Sequence, residues 1–329
     1  MPKEVSVPAL FQMGYFWEAK IFLTSVRLDV YTALASAPKT AEEVAKGVGA
    51  DPSALERLLD SLVAIGLLKK EGNRFSNTPV VQEFMVKGSP LYSGELMLLQ
   101  DDEWENWGQL EKIVRTGRPV VQENVFVNRP EVGSNILRVL HRMALRNAPS
   151  IAKAVDLSSC KTMLDVGGGA GTYSIFFCKA NPQLSVTLFD LPGSLPVAEK
   201  NIAEFGMKER IRLEAGNFKS DPIPGTYDAV FLSDILHYQT AEENQGLFEK
   251  LFGVLAPGGM IVVKDMFLND DSDSPGWNAI FSIHLMVYTE KGRCFRVRQL
   301  LEWLEKAGFR EAKELERSTL LTARKMGSP

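Results

Sequence analysis

The sequence predicts an α/β protein in two parts: a mainly helical N-terminal half with a winged-helix outline, and a C-terminal half built as a doubly wound parallel sheet. Three observations carry this. From residue 161 onward, short apolar runs of strand length alternate with helical stretches, the pattern of a parallel sheet covered by helices on both faces. The first of those runs ends in a glycine-rich segment, LDVGGGAGT at 164–172. Before residue 155 apolar side chains recur at helical spacing instead, and 329 residues suffice for about two domains that each bury a core.

Residues 9–36 carry Phe11, Tyr15, Ile21, Phe22, Val26, Val30 and Leu34 at helical spacing, which predicts helix up to Pro38. Thr40-Ala-Glu-Glu opens a short helix, and Asp51-Pro52 gives the next one a cap and a first-turn proline. Its Leu55, Leu58, Leu59, Leu62 and Ile65 form one apolar face, ended by Gly66. Residues 67–75 read as strand, turn and return strand, completing a helix-helix-wing outline over 38–80. Helices continue across 91–155 and carry Trp104, Trp107, His141 and Met143. Strands follow at 161–166, 186–189, 211–215, 227–232 and 260–267, with helices at 277–288 and 297–307. A closing hairpin, 311–315 and 319–322, is expected to add an antiparallel strand. The expected division is a helical interface domain at 1–95, linking helices that form part of a substrate pocket at 96–155, and the sheet domain at 156–329.

Composition excludes several classes. A 45% hydrophobic and 24% charged chain matches soluble globular proteins rather than disordered or fibrous ones. No apolar run approaches the roughly 20 residues a bilayer span needs, and the first twenty residues lack the basic-then-apolar layout of a secretory signal, so a cytoplasmic location is expected. Cys160, Cys178 and Cys294 are too few and too widely spaced for a disulfide framework or a cysteine zinc site. The net charge of −4 argues against nucleic acid as the main partner. The winged-helix region itself, 38–87, has seven basic and seven acidic residues, and its groove helix offers only Arg57, flanked by Glu56 and Asp60. A ligand-sensing regulator on DNA is therefore the weaker alternative, and a subunit interface the better use of this apolar helical face. The acidic segment 269–276 resembles a calcium loop, but the twelfth position counted from Asp271 is Ser282, where a bidentate Glu is required. No metal is expected.

The strongest motif is the strand-to-helix turn holding Asp165, Gly167 and Gly169. Glycine is needed where a turn is tight and where backbone must approach a ligand without a Cβ in the way. A dinucleotide fingerprint, G-x-G-x-x-G, would place its third glycine at 172, which is Thr172. Asp165 would repel a pyrophosphate and could take the ammonium of a cofactor that carries an amino acid. Asp190 closes the second strand, where a carboxylate can hydrogen-bond both ribose hydroxyls of an adenosine. Gly216-Asn217-Phe218 ends the third strand, with an amide and an aromatic edge suited to adenine. Together these positions describe an adenosine site at the carboxyl ends of the strands.

With LDVGGGAG (164–171), FDLP (189–192), GNF (216–218), ILHYQTAEE (235–243), APGG (256–259) and KGRCFR (291–296), the sequence resembles, over nearly its whole length, the S-adenosylmethionine-dependent small-molecule O-methyltransferases. That family includes caffeate, acetylserotonin and bacterial antibiotic and pigment methyltransferases. The resemblance implies a class I, Rossmann-like methyltransferase domain behind a dimerisation domain, a homodimer, S-adenosylmethionine as cofactor and no metal. It implies methyl transfer to a hydroxyl of a small aromatic or polyketide-like molecule, with no role for nucleic acid or membrane.

By the same resemblance Asp165, Gly167, Gly169, Asp190, Leu191, Asn217, Phe218 and Ser233 hold the cofactor. His237 matches the general base and Asp265 the acid that supports it. The chemistry fits, since an imidazole with an ordinary pKa near 6.5 can take the proton of a phenol as the methyl arrives. His284, on the 277–288 helix, is a candidate to share that role. Trp104, His141, Met143, Phe281 and Met286 are candidate pocket walls. Several residues depart from the family pattern: Tyr238 and Gln239 replace Asp-Trp, Asp265 is one carbon shorter than the usual Glu, a second supporting Glu falls at Cys294, Asn217 stands for Asp and Ser233 for Lys. These changes leave carbon methylation, or altered chemistry with the cofactor retained, as alternatives.

Overall fold

A computed structural model of the protein describes residues 5–120, 125–270 and 276–327. The acidic residues Asp271 and Asp273 of the calcium-like segment lie outside them. The chain divides into two compact units, the first ending at Gln109 and the second beginning at Leu110. The expected linking segment is thereby split, 96–109 going with the first unit and 110–155 with the second.

In the first unit the helix expected over 9–36 is three helices, Val7–Met13, Trp17–Arg27 and Val30–Ala33. The chain breaks at Gly14 and again at Asp29, whose φ of 59° is left-handed and incompatible with a continuing helix. The helices Ala41–Val48 and Pro52–Ala64 follow. Thr40 and Glu43 close a capping box on the first, and Asp51 caps the second. Strands β1 (Leu68–Glu71) and β2 (Arg74–Asn77) then pair antiparallel. Val30, Val44, Leu55, Leu59, Leu62 and Phe75 make the core of this unit. By contrast Leu10, Phe11, Met13, Tyr15, Phe16 and Trp17, six apolar residues in eight positions, are all more than half exposed.

The second unit is a seven-stranded sheet: β3 (Thr162–Val166), β4 (Ser185–Asp190), β5 (Ile211–Ala215), β6 (Tyr227–Ser233), β7 (Leu255–Lys264), β8 (Arg310–Glu316) and β9 (Leu320–Arg324). Its order is β5-β4-β3-β6-β7-β9-β8, parallel as far as β7 and antiparallel at the closing hairpin. Strand β7 corrects the sequence reading at both ends. It begins at Leu255, because 256–259 form a bulge between the Tyr227–Leu255 and Ala229–Met260 pairs, and it stops at Lys264, before Asp265. Buried side chains pack on both faces of the sheet, Val230, Ile261 and Phe248 on one and Phe177, Phe231 and Val262 on the other.

The chain leaves β3 toward β4 and β5, then returns to β6 on the other side of β3. In a doubly wound sheet that reversal is the crevice where ligands bind, beyond the carboxyl ends of the strands. Asp165 pairs with Phe231 and Val166 with Leu232. The loops after β3 and β6 therefore emerge side by side.

Candidate active site

The turn after β3 is shaped by its glycines. Gly167 and Gly169 have φ of +65° and +53°, and a Cβ on Gly168 would lie 2.6 Å from Leu188 Cγ. The result is a cradle of bare backbone over the sheet. A Cβ on Gly167 would also come within 2.9 Å of Ile235 Cγ2 and 3.8 Å of the Phe218 ring, so three loops meet there. Asp190 ties the cradle down. Its Oδ2 accepts the Gly169 N–H at 2.7 Å and its Oδ1 accepts the Leu191 N–H at 2.6 Å. Burial raises its carboxyl above the usual range against the pull of those two donors.

Asp165 sits beneath this turn, 1% exposed, with the Ser174 hydroxyl donating to its carboxylate at 2.5 Å. Burial pushes its carboxyl up to about 7, and the nearby Asp190 charge adds to the effect. The structure thus places Asp165 as a brace under the loop rather than as an open carboxylate. Asn217 is similarly committed: its Oδ1 accepts the Lys219 N–H at 3.0 Å and its own N–H donates to Asp221. Phe218 packs against the core with its ring toward Gly167. Ser233 donates to Asp234 Oδ2 at 2.7 Å.

The loop after β6 carries His237 on a single 3₁₀ turn, Leu236–Tyr238. The imidazole is 3% exposed, and its Nδ1 lies 2.5 Å from Asp265 Oδ1. Asp265 also accepts the Leu236 N–H at 3.0 Å and the Met266 N–H at 2.7 Å, so its direction is fixed from three sides. Burial alone would lower the His237 pKa, but the charge and hydrogen bond of Asp265 outweigh it and raise the value. For Asp265 burial works upward, and the His237 charge and hydrogen bond hold the carboxyl below its usual range. Nε2 of His237 is one of three buried side-chain polar atoms among the described residues that have no hydrogen-bond partner. A buried imidazole with one nitrogen fixed by a carboxylate and the other free has the layout of a base awaiting a proton.

Around it stand Tyr238 and Phe281, with ring centroids 4.3 and 5.3 Å from the imidazole. His284 lies one ring further out, stacked on Phe281 at 5.5 Å and 4.9 Å from Tyr288, and burial lowers its pKa. Met286 is half-buried on the same helix, Asn278–Tyr288. Cys294 is buried near Asp265, and its thiol is pushed up to about 12 by burial. It supplies no second acid. The three cysteines are all buried and free.

Three more of the sequence-predicted pocket residues have neighbours of their own. His141 donates to or accepts from Thr172 Oγ1 at 2.7 Å and meets the edge of Phe205, bracing the helix that follows the glycine turn. Leu137, on the same helix as His141, Pro130–Ala144, lies 3.2 Å from where a Cβ on Gly169 would stand. Met143 on the same helix is half-exposed. Trp104 belongs to the first unit, where its ring meets Phe16 and the Lys20 ammonium. Sequence reasoning missed Asp234, Ile235 and Lys264. The signal for Lys264 was a charge closing an otherwise apolar strand run, IVVK.

The chain matches the O-methyltransferase domain family over residues 124–310 and the O-methyltransferase dimerisation domain over 11–87. A 3-hydroxy-5-methyl-1-naphthoate 3-O-methyltransferase of Streptomyces sahachiroi is 32% identical over 90% of this chain and 87% of its own. An L-tyrosine C(3)-methyltransferase of Streptomyces lavendulae is 25% identical over 86% and 81%. The solved structure of human N-acetylserotonin methyltransferase with S-adenosylmethionine superposes with a TM-score of 0.85 at 25% identity, covering the whole of both chains. The fold and the site define a class I methyltransferase with an N-terminal dimerisation domain. The chain belongs to the O-methyltransferase family and is S-adenosylmethionine-dependent. No helix among the described residues is long and apolar enough to cross a membrane.

Proposed function

We propose that this protein methylates a hydroxyl oxygen of a small aromatic or polyketide-like molecule, with His237 as the general base. The observation that carries this reading is the unpartnered, buried Nε2 of His237 opposite an Nδ1 held by Asp265. The naphthoate-acting relative supports an aromatic acceptor. The bare backbone of Gly167–Gly169 beside Asp190, Leu191 and Phe218, at the carboxyl ends of β3, β4 and β5, suits the cofactor, since no side chain projects from the turn. When bound, S-adenosylmethionine would supply a methyl group made electrophilic by its sulfonium, the S–CH3 bond breaking to leave S-adenosylhomocysteine.

The chain's own residues then align, desolvate and deprotonate. His237 Nε2 accepts the hydroxyl proton as the new C–O bond forms, and Asp265 holds the Nδ1–H tautomer and stabilises the imidazolium. Phe281 and Tyr238 provide flat apolar surface beside the imidazole, and His284, its pKa lowered by burial, stacks beyond Phe281. Asp165 supports the cradle from below. The matched dimerisation domain and the exposed apolar residues 10–17 support a homodimer formed through the N-terminal unit.

The test is turnover of methyl-labelled S-adenosylmethionine against a panel of hydroxylated naphthoates, phenols and polyketide aromatics, with the labelled position found by NMR. Label on oxygen is the expected result. The carbon-methylating relative gives the second reading its footing, and label on a ring carbon would replace the first reading with it.

A further inference from the structure

Lys264 is the last residue of β7, a strand whose preceding residues, Met260–Val263, are all buried. Its side chain is only 10% exposed. The ammonium reaches both oxygens of Asp234, at 2.8 and 2.6 Å, and lies 5.6 Å over the Tyr173 ring. The Lys264 carbonyl accepts the Asp234 N–H at 2.9 Å. Tyr173 in turn reaches Asn147, at 3.3 Å. One lysine therefore joins the helix that follows the glycine turn to the loop that carries His237. Asp234 itself holds a left-handed φ of 57°, a conformation that the pair helps to fix.

A buried lysine is costly, and an apolar residue of similar length would serve a strand at least as well. The reason for the pair must then lie in what it faces. An oxygen of Asp234, a nitrogen of His237 and an oxygen of Asp265 lie within 4.8 Å of one another. Two carboxylates and an imidazole are a ligand set for a divalent cation, but Lys264 already occupies both oxygens of Asp234 and His237 one of Asp265. Uncompensated, two carboxylates beside one imidazole would hold its proton too firmly for a base that must release it near neutral pH. We propose that Lys264 is a positioning residue of the methyl-transfer site, which cancels the charge of Asp234 so that His237 answers to Asp265 alone. The groups facing the imidazole are Asp265 and Lys264 from the end of β7, Asp234 and the Tyr238 ring from its own loop, and His284 beyond Phe281 on the Asn278–Tyr288 helix; the Cys294 thiol faces Asp265.

The proposal builds on the reading of His237 as base, and the experiment separates the two. The sequence has three histidines, so in a background of His141→Gln and His284→Gln the His237 ring signals can be titrated by NMR without ambiguity. Lys264→Met should raise the His237 pKa by about 0.5–1, Asp234→Asn should lower it by a similar amount, and the double variant should return close to the parent value. Lys264→Arg should behave as the parent. In the otherwise unaltered enzyme the acid limb of the kcat profile should move in the same directions. A His237 titration that moves the same way in both single variants, or in neither, overturns the proposal, and Asp234→Asn alone still decides it if Lys264→Met does not fold. A titration that moves as expected while the kcat profile stays put upholds the charge relation and removes His237 from the role of base.

Discussion

The two loops that meet at the centre of the sheet use their polar groups in opposite ways. After β3 and β4 the polar side chains are bound within the protein: Asp190 to two backbone N–H groups, Asp165 to Ser174. After β6 and β7 the same kind of wiring, from Asp265 to His237 and two backbone N–H groups, ends in one atom left over, Nε2. The first region offers a shape made of backbone, and the second offers a reactive atom. On the proposed function, binding and chemistry are therefore separable by mutation to a degree that a shared cluster of side chains would not permit.

The largest break should come at that atom. His237→Ala is expected to lower kcat by about 10²-fold or more, with S-adenosylhomocysteine affinity changed less than about threefold in calorimetric titration. Retention of full turnover would remove the base. Next, Asp265→Asn keeps the outline of the carboxylate but withdraws its charge and can present the wrong hydrogen-bonding group to Nδ1. We expect kcat to fall by about 10- to 10²-fold and the acid limb of its pH profile to move to lower pH, since the carboxylate charge that raises the His237 pKa is gone. A limb that moved upward would contradict this assignment.

The glycine cradle should give the mirror image. In Gly168→Ala the new methyl would lie 2.6 Å from Leu188 Cγ and 2.9 Å from the Asp165 carboxyl, so the turn must shift. S-adenosylhomocysteine binding should weaken by about tenfold, while kcat at saturating cofactor falls by less than about threefold. Equal losses in both would mean that the two regions are not separable after all.

How much of this could be read from the sequence follows the same boundary. Backbone shape was legible, because glycines at 167, 169 and 171, an acid closing β4 and apolar runs of strand length each have a local cause. His237 and Asp265 were legible as a pair only through the resemblance, since 28 residues separate them and nothing local says that they touch. Side-chain direction was not legible. Asp165 turns under its loop because Ser174, nine residues on, returns over it at the start of the next helix, and His141 turns to Thr172 across 31 residues. The helix breaks at Gly14 and Asp29 escaped because apolar spacing continues unchanged through both. The segment 9–17 kept helical periodicity while burying nothing within this chain, as a surface awaiting a partner would.

The smallest expected effect tests the buried end of the comparison. The Asp165 carboxyl is raised from 3.8 to about 7, chiefly by burial, so the folded state holds its proton more tightly than the unfolded chain does. For a group shifted in that direction the favourable contribution is complete below the unfolded pKa and is lost as pH climbs through the folded one, here between about pH 4 and 7. Between pH 5 and pH 8 the wild-type protein should therefore lose about 3 kcal/mol at this residue, and Asp165→Asn, which cannot ionise, should lose none of it. His237 and Asp190 are also raised and drift the same way in both proteins, so the difference between variant and wild type reports chiefly on Asp165. Measured by thermal unfolding, the variant's Tm relative to wild type should be several degrees more favourable at pH 8 than at pH 5. A difference independent of pH would mean that the carboxylate under the glycine turn is ionised and compensated in the folded protein, and that the cradle rests on a charge rather than on a neutral acid.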